Sequence, residues 1–247
     1  MDSHVTEVGG TREGEAEGLK LTPFRLASSY LPHDRVGGDF FQVVPIDKHH
    51  SGIVVGDVSG HGLEAALLMG MARRIFGKHC IAGGIDPAAV LRKANEDLVP
   101  KLGRCSFVTV LYGILEHSTG RMHLARAGHC PPILVPASGA PFVISSGGIA
   151  LGIDAGALFV DALEVEEIQL EKGGRLILYS DGLVQACHPQ RGPYGVERVL
   201  KALRATPSRA SAQQVLDILL EDLKRFLDGP AYQDDLTLVC LEHPADP

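Results

Sequence analysis

No stretch of this sequence approaches the roughly 20 consecutive apolar residues that a membrane-spanning helix needs, so no span is expected. A basic excess is lacking too. The formal net charge is −7, the opposite of the basic patch that marks a nucleic-acid binder. The opening MDSHVTEVGGTREGEAEG is polar and acidic, without the apolar stretch of a secretory leader. Paired cysteines are missing as well. Cys80, Cys105, Cys130, Cys187 and Cys240 are odd in number and none has CxxC spacing. That disfavours a zinc site and favours buried, reduced thiols in a cytoplasmic protein. What is present is ordinary: 247 residues, 45% apolar and 21% charged, enough to bury a core. Part of the acidic surplus could be clustered carboxylates that await cations.

Residues 1–20 have no periodic apolar face and are expected to be a loosely attached lead-in. Residues 21–247 are expected to form a single domain. FRLASSYL, FFQVVPI and SGIVVGDV are strand-like, and the last is apolar enough to be buried on both faces. A helix follows, with Leu63, Leu67, Met71 and Ile75 at helical spacing and expected to face the core. Asp86 with Pro87 behind it caps a second helix. Strand patterns return in SFVTVLYGILE, RMHLARAGH, PPILVPA, PFVISS, Leu163 to Leu170 and Arg175 to Ser180. Two helices over Val196–Arg204 and Ala212–Leu227 precede a last strand, DLTLVCLE. Strands and helices come in blocks joined by short glycine-containing turns. The fold class is therefore α+β with antiparallel sheet.

Four aspartates sit where a strand meets a turn: Asp39, Asp57, Asp181 and Asp234. Carboxylates at strand ends can point into a shared cleft on rigid backbone. If they converge, their charge needs neutralising, and hard cations with oxygen ligands do this. Magnesium or manganese suits such a set better than zinc, because no His/Cys cluster accompanies it. Taken singly, each acid is equally at home as a turn residue whose side chain bonds nearby backbone N–H groups.

Six segments occur in order: VGGDFF, GDVSGHGLEAALLM, RAGHCPPIL, LILYSDGLVQA, YGVERV and QDDLTLV. Together they resemble the SpoIIE/RsbU-like branch of the metal-dependent PPM (type 2C) protein phosphatases, from about residue 24 to residue 242. The resemblance implies a four-layer αββα sandwich of two antiparallel sheets flanked by helices. It implies hydrolysis of phosphoserine or phosphothreonine by a hydroxide held between two divalent cations, Mn2+ or Mg2+. Asp57 would bridge the cations, with the Val58 carbonyl reaching one of them. Asp39 would serve mainly one cation, and Asp181 and Asp234 the other, with Asp235 an alternative to its neighbour. The implied substrate is a phosphorylated STAS-type anti-anti-sigma factor in bacterial partner switching, with a regulator or self-association supplying control.

Weaker candidates accompany these. His61, between Gly60 and Gly62, could protonate the leaving oxygen or simply face solvent at a helix start. Arg35 has the spacing of a phosphate-gripping arginine in the eukaryotic type 2C branch. His129 reads as a packing or turn residue. One departure stands out: where the family often has a second acid, GGDxxD, this chain has Gln42. That leaves two other readings, a catalytically weak partner-binding module on the same fold and a hydrolase of small phosphoesters.

Overall fold

The computed structural model describes residues 21–33, 36–103, 106–229 and 233–245. The expectation for residues 1–20 lies outside them, as do Arg35 and Cys105. Strands β1 (Arg25–Leu31), β2 (Phe40–Pro45) and β3 (His50–Val58) are followed by helices α1 (Gly62–Ala82) and α2 (Pro87–Leu98). Then come β4 (Val108–Glu116), β5 (Arg121–Ala127), β6 (Ile133–Val135), β7 (Phe142–Val143), a short helix α3 (Ala157–Ala162), β8 (Val165–Gln169) and β9 (Arg175–Tyr179). A single-turn helix α4 (Asp181–Val184) leads to the small pair β10 (Cys187–His188) and β11 (Gly192–Pro193). Helices α5 (Gly195–Ala205) and α6 (Ala212–Leu227) precede β12 (Leu236–Glu242).

Two five-stranded sheets result, ordered β1-β12-β9-β6-β7 and β2-β3-β4-β5-β8. All named strand pairs are antiparallel. Alternation along the strands sorts side chains into three apolar layers. Leu238 and Cys240 of β12 face outward and pack with Leu216, Leu219 and Leu223 of α6. Val239 and Leu241, their neighbours, face inward and meet Phe41, Val43, Ile53 and Leu111 of the other sheet. On the far side, Val44, Val54 and Tyr112 pack against Phe76 of α1 and Leu91 of α2. Helix pair, sheet, sheet, helix pair is the αββα sandwich.

Local signals explain the helix starts. The Asp86 side chain accepts the Ala89 N–H at 3.1 Å with Pro87 in the first turn of α2. Ser211 and Gln214 form a reciprocal capping box at α6. Helix α1 departs from the expected phase. Ile75 is buried, but Leu63 and Leu67 are 69% and 67% exposed. The buried stripe runs through Ala65, Ala72, Phe76 and Cys80 instead. The segment LEAALLMGM is apolar almost all round, so more than one helical face could be inward, and the bulky Phe76 decides which one is. Of the four described cysteines, Cys80 and Cys240 are buried while Cys130 and Cys187 are partly exposed, and all are unpaired.

Candidate active site

The polar end of the inner layer follows from the same alternation. On β3, Ile53 and Val55 face the other sheet, and Asp57 is the next residue on that face. On β2, Phe41 and Val43 face inward, and Asp39 stands two residues before Phe41, just ahead of the strand. Ser180 continues the inward row of Leu176 and Leu178, and Thr237 that of Val239 and Leu241. The apolar interior therefore ends, at one edge of both sheets, in carboxylates and hydroxyls. Asp181 opens α4 one residue after β9, past Ser180, and Asp234 lies just ahead of β12.

Asp39 is 4% exposed and its Oδ2 has no hydrogen-bond partner. Burial holds its carboxyl well above the ordinary range; the Ser180 and Thr237 hydroxyls oppose this, while Asp235 and Asp181 add to it. Asp57 is raised for the same first reason, burial, and then by Asp39, Asp181, Asp234 and Asp235. Asp181 is raised by burial and by Asp234. Four of the expected acids thus feel one another across the two sheets. Among the described residues, no three His, Cys, Asp or Glu side chains are drawn tightly enough together to form a ready-made metal cluster.

Asp234 and Asp235 are adjacent but differently placed. Asp235 accepts the His33 N–H at 2.9 Å and the Gly38 N–H at 2.7 Å, one on each carboxylate oxygen. It is 8% exposed and clasps the loop that carries Asp39. A Cβ at Gly37 would overlap this carboxylate, which explains the glycine there. Asp234 is exposed, with Oδ1 accepting the Asp235 N–H at 2.8 Å. Gly38 has a second role: a side chain there would sit 2.6 Å from the Val58 carbonyl and 3.4 Å from Asp57 Oδ1. Glycine keeps those two oxygens accessible.

His61 is exposed at the residue that precedes α1, flanked by Gly60 and Gly62 at φ of 97° and 77°. Gln42 is buried on the opposite face of β2 from Asp39, with its Nε2 beside Gly77 of α1. It therefore does not point among the acids. Ser180 is fully buried; its Oγ accepts the Thr237 N–H at 2.9 Å and donates to the Asp235 carbonyl at 3.4 Å. That is a structural bridge between β9 and β12, not the position of a nucleophile.

Three residues around the site, Thr109, Tyr30 and Cys130, were not singled out in the sequence, and His129 was read there only as a packing or turn residue. Thr109 pairs with Asp57 in the sheet, and its hydroxyl meets His129 Nδ1 at 2.8 Å. His129 is 3% exposed, and burial, then the Arg126 charge, holds its imidazole down to about 4. Tyr30 and Cys130 also border the acids. Both are raised first by burial, Tyr30 then by Asp235 and Asp39, Cys130 then by Asp181, Asp39 and Asp57. The only available signal was strand parity. Counting in twos from the apolar residues of each strand would have put Thr109, Ser180 and Thr237 beside the acids.

A sandwich of two antiparallel sheets with acids at one edge is the architecture of PP2C-type phosphatase domains. The SiaA PP2C domain of Pseudomonas aeruginosa superimposes with a TM-score of 0.76 at 21% identity, covering 88% of this chain and 85% of that one. The structure of the RsbU and RsbW domains of a Mycobacterium tuberculosis protein matches with a TM-score of 0.74 at 26% identity, over 91% of this chain and 61% of the other. RsbX, crystallised with magnesium, gives 0.63 at 18% identity over 88% and 94%. Residues 47–244 match the family model of stage II sporulation protein E, and the chain belongs to that SpoIIE family. Protein IcfG of Synechocystis sp. is 26% identical over 90% of this chain, and phosphoserine phosphatase RsbU of Bacillus subtilis is 27% identical over 94%. The chain spans 38% and 65% of the lengths of these two relatives.

Proposed function

We propose that this chain is a metal-dependent protein serine/threonine phosphatase that hydrolyses phosphoserine or phosphothreonine on a protein. The observation that carries this is the convergence of Asp39, Asp57, Asp181 and Asp234 from both sheets onto one edge, with Asp39 Oδ2 buried and unpartnered. Buried carboxylates of this kind call for positive charge. The donor set is all oxygen, which fits two hard divalent cations, manganese or magnesium. Asp57 and the Val58 carbonyl, with Asp39 on one side and Asp181 and Asp234 on the other, are the residues proposed to hold them. When bound, such cations lower the pKa of water and neutralise charge on phosphoryl oxygens.

The chain's own residues have distinct tasks in this reading. Asp235 holds His33 and Gly38 by their backbone N–H groups and so positions Asp39. Ser180 ties β9 to β12, holding the strand ends from which Asp181 and Asp234 project. His61 is the proposed proton donor to the leaving oxygen, and Arg35 a proposed grip on the phosphate. The proposed substrate is a STAS-type anti-anti-sigma factor in cytoplasmic partner switching. Supporting it are the phosphoserine phosphatase RsbU among the relatives and the pairing of RsbU and RsbW domains in one structural neighbour. Control would come from a regulator or from self-association. Among the described residues no helix is long and apolar enough to cross a membrane.

The test is manganese-dependent release of phosphate from a phosphoserine protein, beside p-nitrophenyl phosphate. Turnover on the phosphoprotein well above that on the small ester supports the proposal. Folded protein inactive over a wide metal range would leave a partner-binding module. Preference for the small ester would make it a small-phosphoester hydrolase.

A further inference from the structure

Strand β9 has two functional ends. Asp181 lies two residues past its last, Tyr179, and Arg175 is its first, roughly 20 Å away at about 3.3 Å per residue. At the Arg175 end lies a cavity of about 370 Å³, between the β6–β7 turn, the start of β9 and the α5–α6 connection. Its volume is in the range of small-molecule sites.

Arg175 is 5% exposed and lines this cavity. Its Nη2 donates to the Ser208 carbonyl at 2.8 Å and to the Ala210 carbonyl, and stands 3.6 Å from Glu242 Oε1. Glu242 is its partner in the sheet register and is itself buried, its Oε2 accepting the Ala212 N–H at 3.3 Å. The pair thus balances the buried charge. The Arg175 Nε–H is left over, buried and with no acceptor. That N–H has no contact with the open space, so Arg175 serves the cavity as wall and charge, not as a donor. A second guanidinium, Arg204, lines the same cavity from an exposed position at the end of α5. The rest of the wall is largely apolar: Val135, Pro136, Leu203 and Val215.

We propose that this cavity is a binding site for a small organic anion, a carboxylate or phosphate head on an apolar body. The head takes the exposed Arg204 guanidinium beside the Arg175 wall, and the body lies on Pro136, Leu203 and Val215. The site is separate from the acid cluster and does not depend on the phosphatase reading.

Isothermal titration calorimetry on the full chain in EDTA tests it, with phenylphosphonate and benzoate as probes and benzyl alcohol as the neutral control. A Kd of about 1 mM or tighter is expected for at least one anion, with no binding of the alcohol. Arg204→Ala weakens binding about tenfold, and Ala140→Trp, at the exposed rim, abolishes it. Asp57→Asn leaves it unchanged. Melting curves confirm that each variant folds. No heat with either anion, equal binding of the alcohol, indifference to both cavity variants, or loss of binding in Asp57→Asn would each overturn the proposal.

Discussion

Both carboxylate oxygens of Asp235 are committed to backbone N–H groups, those of His33 and Gly38, while its neighbour Asp234 faces solvent. Asp235→Ala orphans both donors and should cost about 2–4 kcal/mol in a urea melt. Asp234→Ala should change metal-free stability by less than about 0.5 kcal/mol yet weaken manganese binding by calorimetry. Equal destabilisation by both would mean the two acids do the same job. Asp181→Ala removes a carboxylate repelled by Asp234, and should raise the melting temperature in EDTA by about 2–4 °C, as about 1 kcal/mol does at this size. Asp57→Asn should keep the fold and lower phosphatase turnover by about 100-fold or more. The four acids were singled out by the six ordered segments, since each taken alone is equally at home in a turn. The division of labour at positions 234 and 235 was not legible, because two adjacent identical residues differ only in which way the backbone turns them. The pairing of His129 was hidden for another reason: its partner Thr109 is 20 residues away and nothing local marks the pair.

The start of helix α2 was readable to the residue, since Asp86 and Pro87 act within one turn of where they stand. Helix α1 was readable as a helix but not in phase. Leu67→Glu should therefore shift stability by less than about 0.5 kcal/mol, whereas Phe76→Ala, in the core, should cost about 3–5 kcal/mol. Chemical denaturation of the two variants checks which face is inward, and a reversed order would restore the face first expected. Helices α3 and α4 and the β10–β11 pair went unread, and PFVISS shrank to the two residues of β7. Elements of two to six residues carry too few apolar positions to show a period. Their shape is set by tertiary partners, as when the Asp154 carboxylate receives the N–H groups of Gly156 and Phe159 around α3.

The acids also couple the whole molecule to pH. An acid whose folded pKa is raised keeps its proton while the unfolded chain has released it. Below the ordinary carboxylate range, about 4, both states are protonated and nothing is lost. As pH climbs from there through neutrality, the metal-free fold loses stability, and the loss levels off once Asp57 has ionised. The melting-temperature difference between Asp57→Asn and the parent, in EDTA, should therefore grow across that window and shrink when manganese is restored. A difference that stays flat with pH would show that the Asp57 carboxyl is not perturbed.

Strand β1 hydrogen-bonds along its length to β12, which pairs in turn with β9. The first described strand thus has no sheet neighbour until the last strand exists. During synthesis, Asp39, Asp57 and Asp181 leave the ribosome well before Asp234, but β12 is absent and β1 and β9 have nothing between them. The acids of the two sheets are therefore brought to one edge only after β12 inserts between β1 and β9.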